Sequence, residues 1–200
     1  MSSILITEKN ILSMSSLSIT KQSIVVPSQI KVTLENSNLI FEGPLGKICL
    51  DLQQHDKLGD CFFSIHPLDT GQHLLSLSTT HKKSKVFLNA FKSLILQYFT
   101  GLTQGFLVSL ECTGIGYRVH LEKNTLQFKL GFSHASEFFI PSDVQVFLPK
   151  QNVICFFGID KKRLHKIAAD VQSLKLPDAY KGKGLRLSHI HLSLKEGKKK

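Results

Sequence analysis

The sequence predicts an α+β fold of two tandem, duplicated domains, each a mainly antiparallel sheet covered by one helix, followed by a basic C-terminal tail. Three features predict it. Short runs alternating apolar and polar residues are separated by Gly, Pro and Asn turns, the pattern of antiparallel strands. Two later stretches carry apolar residues at helical spacing instead. Finally, Val26-Pro27-Ser28-Gln29-Ile30-Lys31-Val32-Thr33-Leu34 is matched position for position by Ile140-Pro141-Ser142-Asp143-Val144-Gln145-Val146-Phe147-Leu148, and Asn38-Leu39-Ile40 by Asn152-Val153-Ile154, which reads as internal duplication.

Residues 1–23 are Ser-rich and weakly patterned and read as an extension; Glu8 and the lack of Arg there argue against an Arg-rich presequence. The first domain spans residues 24–104. Strands are predicted over 24–26, 30–34, 39–41 and 48–52, with turns at Asn36-Ser37-Asn38 and Gly43-Pro44-Leu45-Gly46. Residues 53–73 are largely polar; 61–65 and 74–77 are expected to complete the same sheet. A helix over 84–100 follows, with Val86, Phe87, Ala90, Phe91, Leu94, Ile95 and Tyr98 as its buried stripe and Gly101 as its terminator.

The second domain covers residues 105–190. Residues 107–112, 117–121 and 125–130 alternate as strands ahead of the second copy, so this domain should hold the larger sheet. Asp160 is the expected N-cap of a helix with Leu164, Ile167, Ala168, Val171 and Leu174 on one face. The basic tail is 191–200. Four scattered cysteines, Cys49, Cys61, Cys112 and Cys155, form no CxxC pair; they read as small buried hydrophobes of a reduced compartment.

Charge is unevenly distributed. From Lys161 onward there are 12 basic and 3 acidic residues, so nearly all of the net +10 lies in the last forty positions. That is the electrostatic footprint of a protein that neutralises a polyanion. No basic amphipathic helix with a broad apolar face accompanies the charge, and no apolar run is long enough to span a bilayer, so nucleic acid is preferred to a membrane.

The basic stretch has an unusual scaffold. In Tyr180-Lys181-Gly182-Lys183-Gly184 the lysines act as point charges, and the glycines are expected to let a nucleic-acid backbone approach closely. Arg186 is expected to fork onto a phosphate or base edge, and Tyr180 to stack on a base or anchor the loop. His189 and His191 share one face of an expected strand, but no Cys or carboxylate stands with them, so they read as solvated or RNA-facing, not as metal ligands. Gly114-Ile115-Gly116 lacks the third glycine of a nucleotide fingerprint and reads as a bulge or bend between strands, presenting Arg118. His134 has no evident acid or nucleophile beside it. No catalytic residue and no cofactor is assigned.

Several short motifs, weak singly, are specific in this order: Val25-Val26-Pro27, Gly43-Pro44-Leu45-Gly46, Gly101-Leu102-Thr103-Gln104-Gly105-Phe106, Gly114-Ile115-Gly116-Tyr117-Arg118, Leu130-Gly131-Phe132-Ser133-His134, Gly158-Ile159-Asp160-Lys161, Ala168-Ala169, Pro177, Tyr180 to Gly184, and Lys195-Glu196-Gly197-Lys198-Lys199-Lys200. Through them the chain, from about residue 20 to 200, resembles the universal protein six family of the large ribosomal subunit, a two-domain family made by duplication of one α+β unit. The resemblance implies a non-enzymatic structural role: binding of large-subunit ribosomal RNA, mainly through the second domain and tail, near the base of the factor-binding stalk and the sarcin–ricin loop. Implied partners are this RNA, neighbouring large-subunit proteins and, transiently, elongation factors, with no membrane. The alternative is a free RNA-binding or RNA-chaperone module.

The candidate RNA-binding set is Arg118, Lys161, Lys162, Lys175, Tyr180, Lys181, Gly182, Lys183, Gly184, Arg186, Lys195, Lys198, Lys199 and Lys200. Two departures from the family pattern bear on it. Pro177-Asp178-Ala179 stands where the family commonly has Pro-Glu-Pro, which predicts a less rigid loop, and Leu176 stands where a basic residue is often found. Three arginines (Arg118, Arg163, Arg186) against 22 lysines, with 14 Phe, point to an AT-rich genome. The expected location is a mitochondrial ribosome in the matrix, with a plastid or bacterial cytoplasm as alternatives.

Overall fold

Strand after strand alternates buried and exposed side chains, as half-buried sheets require. The computed structural model describes residues 20–35, 38–55, 61–68, 72–79, 81 and 84–197. It is an α+β structure dividing into two units, 1–104 and 105–200.

Unit 1 contains β1 (Thr20–Val26), β2 (Lys31–Glu35), β3 (Asn38–Gly43), β4 (Gly46–Asp51), a single turn α1 (Leu52–His55), β5 (Cys61–Pro67), β6 (His73–Thr79) and the long helix α2 (Lys85–Thr103). The strands form two antiparallel sheets, ordered β1-β6-β5 and β2-β3-β4, not the single sheet expected. The cause is the turn after Pro27, whose carbonyl accepts from the Ile30 N–H at 3.0 Å. It carries the chain out of β1 before β2 begins, leaving the β1 edge free for β6 from Thr20↔Thr79 to Val26↔His73. Because β1 starts at Thr20, the last residues of the stretch read as an extension belong to this sheet.

Both sheets pack on α2 around fully buried Leu39, Phe41, Leu75, Leu77, Leu88, Ile95 and Leu102. The helix's buried face differs from the expected stripe. Leu88, Phe91, Leu94, Ile95, Tyr98, Phe99 and Leu102 face the core, whereas Val86 is 72 % exposed and Ala90 is exposed. Nor does Gly101 end the helix; it is buried within the last turn. The chain leaves helical geometry after the Gln104 cap, at Gly105, whose φ of +76° fits a left-handed residue just past a helix end. The β3–β4 hairpin is tied by a Lys47–Glu42 contact of 2.6 Å, which lowers the Glu42 pKa and raises that of Lys47.

Unit 2 contains β7 (Phe106–Thr113), β8 (Arg118–Glu122), β9 (Thr125–Lys129), β10 (Ser136–Phe139), β11 (Gln145–Lys150), β12 (Val153–Gly158), α3 (Lys161–Ser173) and β13 (Gly184–Leu187). Its sheets are ordered β11-β12-β7-β13 and β10-β9-β8. Asp160 caps α3, its carboxylate accepting from the Lys162 N–H at 2.9 Å. Leu164, Ile167, Ala168 and Val171 seat α3 on Leu110, Ile154, Phe156 and Leu185.

The two units match in chain order: β1-β6-β5 corresponds to β7-β12-β11, β2-β3-β4 to β8-β9-β10, and α2 to α3, with β13 an addition to unit 2. The duplication is therefore present, but the sequence match that announced it joins non-equivalent parts. Pro27 stands before β2 and Pro141 before β11, the first half of one unit against the second half of the other. What the two stretches share is a local device. At both, the chain crosses from one sheet to the next through a turn closed on the proline carbonyl, Ile30 N–H to Pro27 O at 3.0 Å and Val144 N–H to Pro141 O at 3.2 Å.

Candidate nucleic-acid interface

The strand of unit 2 that has no counterpart among the described residues of unit 1 carries the basic loop. β13 pairs with the free edge of β7 from Gly184↔Thr113 to Leu187↔Leu110. Leu185 is fully buried and donates its N–H to the Lys175 carbonyl at 2.9 Å, while the Ser188 N–H reaches the Ser109 carbonyl at 3.0 Å. Leu185, partly buried Leu187 and a short ladder thus hold the strand, and the segment between α3 and β13 closes on itself.

Asp178 organises that closure. Its carboxylate accepts from the backbone N–H groups of Tyr180 (3.3 Å) and Lys181 (3.0 Å). Its own N–H donates to the Lys183 carbonyl and its carbonyl accepts from the Gly182 N–H, both at 2.9 Å. The Thr113 hydroxyl lies 2.7 Å from the Gly182 carbonyl and 3.1 Å from that of Gly184. The Lys195 N–H donates to the Ala179 carbonyl at 2.9 Å, so the C-terminal segment is tied to the same loop. Where Pro177-Asp178-Ala179 stands in place of a second proline, hydrogen bonds to and from one aspartate close the loop.

The glycines also serve a purpose other than the one expected. A Cβ on Gly184 would lie 2.6 Å from both the Leu176 carbonyl oxygen and Pro177 Cα, so the missing side chain makes room for the loop's own backbone. Gly182, at φ +66°, holds a left-handed turn against the tip of Leu194. Around this frame Lys181 and Tyr180 are exposed, and Lys183 is half-buried.

Two further loops join it. The Tyr117 ring lies against Gly114, where a Cβ would come within 2.5 Å, and against Gly131, where it would come within 3.3 Å. Tyr117 therefore links the 114–116 turn to the 131–134 loop, and Thr113 links that turn to the basic loop. From the 131–134 loop Phe132 meets Lys175, whose ammonium lies 4.2 Å from the ring centroid.

Other candidates fall elsewhere. Arg186, expected to fork onto a phosphate or base edge, meets Glu111 within the protein: Nε at 3.2 Å and Nη2 at 2.9 Å both donate to one carboxylate oxygen of this cross-strand neighbour. Arg163 is likewise spent on Asp143, with Nη2 3.2 Å from Oδ1 and Nε on Oδ2. Arg118, exposed on β8, has no carboxylate partner among the described residues. Lys161 and Lys162 occupy the first turn of α3, roughly 20 Å from Lys175 by the helical rise. Cations there oppose the helix dipole, so helix stability does not explain them. Lys198, Lys199 and Lys200 lie outside the described residues. β13 ends at Leu187, so His189 and His191 stand beyond any strand, both exposed. Among the described residues no group of three or more His, Cys, Asp or Glu is placed to hold a metal, and no helix is long and apolar enough to cross a membrane.

Comparison with known proteins converges on this unit. The family model of ribosomal protein L6 matches residues 113–186, from the threonine that secures the basic loop to the arginine of β13. Over nearly the whole chain, large ribosomal subunit protein uL6 of Thermosipho africanus is 36 % identical across 181 residues, covering 90 % of this chain and 98 % of the relative. The chain belongs to the ribosomal protein L6 family. The uL6 proteins of Thermotoga maritima (33 % identical, 90 % of this chain, 97 % of the relative) and Sphingopyxis alaskensis (30 %, 90 % and 97 %) agree. In this L6 member, residue-by-residue reading missed Asp178, Thr113, Phe132 and Glu111. Asp178 alone had a local signal, an Asp after Pro in a turn; the others act through partners distant in sequence.

Proposed function

We propose that this protein is a structural, non-catalytic constituent of the large ribosomal subunit and binds large-subunit ribosomal RNA through unit 2. The observation that carries the reading is the pinned loop between α3 and β13, from which Lys175, Lys181 and Lys183 project without a carboxylate partner among the described residues. Affinity then comes from phosphate neutralisation, with Lys195, Arg118 and the tail lysines Lys198, Lys199 and Lys200 adding to it, while loop shape sets the register on folded RNA. Lys161 and Lys162 form a second, separate phosphate contact. Arg186 acts indirectly, locking β13 to Glu111.

The names of the relatives support this assembly. The same reading puts the protein near the base of the factor-binding stalk and the sarcin–ricin loop, beside neighbouring ribosomal proteins and transiently near elongation factors. The lysine-over-arginine and Phe-rich composition supports a mitochondrial ribosome. Sedimentation of the tagged chain from an organelle lysate tests the proposal. The chain should travel with large subunits, and replacing Lys175, Lys181 and Lys183 by Gln should release it. Sedimentation at the top of the gradient, still bound to RNA, would make it a free RNA-binding module instead.

A further inference from the structure

Cations alone suffice to hold a phosphate backbone, yet the loop cluster of unit 2 also holds apolar side chains out in water. Ile115 is 90 % exposed, Leu176 68 %, Tyr180 57 % and Phe132 47 %. The backbone enforces this display. The Ile115 turn is closed by the Tyr117 N–H on the Gly114 carbonyl at 3.3 Å, and Gly116 (φ +76°) and Gly131 (φ +74°) hold left-handed conformations beside Ile115 and Phe132. Behind the tips, the Tyr117 ring packs on Gly114 and Gly131, backing both loops so that their apolar residues stay outside. Lys175, 4.2 Å from the Phe132 centroid, couples an ammonium to an exposed ring.

A regular A-form duplex presents phosphates and hydroxyls and keeps its base faces stacked inside, offering nothing to such a surface. An unstacked base presents an apolar face to the ring and, one bond path away, a phosphate to the ammonium. We propose that Phe132, Ile115 and Tyr180 form a platform for unpaired bases, so that the RNA element taken by this end of unit 2 is bulged or single-stranded. This rests on the RNA-binding reading above and specifies which RNA. Phe132 is the central group, because among the described residues it is the exposed ring that a cation faces.

The test uses the full chain and two short RNA hairpins: one with a fully paired stem, and the same stem with a run of bulged adenines containing fluorescent 2-aminopurine. Wild type should prefer the bulged hairpin and quench its fluorescence. Phe132→Ala should weaken binding to that probe by about five- to a hundred-fold, the range for loss of one base–aromatic stack. It should leave paired-stem affinity and the salt slope unchanged, whereas Phe132→Tyr keeps the preference. Lys175→Gln should lower the salt slope on both probes by about one phosphate contact. Equal wild-type affinity for the two hairpins, or an equal loss on both with Phe132→Ala, would overturn the platform while leaving RNA binding intact. Binding to neither hairpin at low salt would overturn the RNA-binding reading and the platform with it. Phe132 lies outside the buried core, so circular dichroism of Phe132→Ala should match wild type; unfolding would instead identify the ring as structural and sink the proposal.

Discussion

Gly184→Ala tests whether the basic loop owes its shape to the protein's own backbone. The added Cβ would sit 2.6 Å from the Leu176 carbonyl oxygen and 2.6 Å from Pro177 Cα, and neither atom belongs to a side chain that can swing away. The residue also keeps φ at +149°, a region L side chains rarely adopt. Backbone strain of this kind and overpacking each cost about 1–3 kcal/mol, so the substitution should weaken docking of β13 and its loop by about 4 kcal/mol. Gly182→Ala is the internal control. Its Cβ meets only the flexible end of Leu194 at 3.3 Å, leaving about 1 kcal/mol from the left-handed conformation. Amide hydrogen exchange reads both. The Leu185 N–H, bonded to the Lys175 carbonyl, reports docking, and the Ile154 N–H in β12 reports the rest of the unit. Leu185 exchange should rise about a thousandfold in Gly184→Ala and about fivefold in Gly182→Ala, with a much smaller change at Ile154. Unchanged Leu185 protection in Gly184→Ala would refute the argument that the glycine is there for the chain's own packing.

Asp178→Ala removes the acceptors of the Tyr180 and Lys181 N–H groups and also deletes a negative charge, which by itself would strengthen RNA binding. A fall in RNA affinity with an unchanged salt slope is expected from filter-binding titrations, because every cation remains and only its placement is lost. Deleting Lys198, Lys199 and Lys200 should do the reverse, flattening the salt dependence by up to about 2 log–log units. Burial raises the Cys112 thiol from 9.0 to about 11, a folded value above the unfolded one. The associated stability is therefore fully present below pH 9 and is lost as pH rises through 11. Urea unfolding across that window should show wild type losing about 2–3 kcal/mol more than Cys112→Ala. A thiol reagent should label exposed Cys49 in the native chain but reach buried Cys112 and Cys155 only after unfolding.

The linear sequence by itself determined the class of fold, the Asp160 cap and the concentration of charge in unit 2, because each rests on neighbours along the chain: period-2 alternation, helical spacing, a cap immediately before its helix, a local density of lysines. Where it misled, the deciding partner was remote. Gly101 and Gly105 are both plausible helix terminators, and only packing of the last turn against the first unit's core selected Gly105. The match of Pro27 with Pro141 was real as a turn and wrong as an equivalence, since only strand pairing tells which half of a unit a strand belongs to. The same holds for the site. Lys181 and Lys183 were legible as cations, but no local pattern shows that Arg186 is taken up by Glu111, that Gly184 makes way for Pro177, or that Lys175 sits over Phe132. Those contacts join residues on separate strands and loops, and they exist only once β13 is laid against β7, which is why tertiary structure, and not composition, decided which basic groups remain free to meet a phosphate.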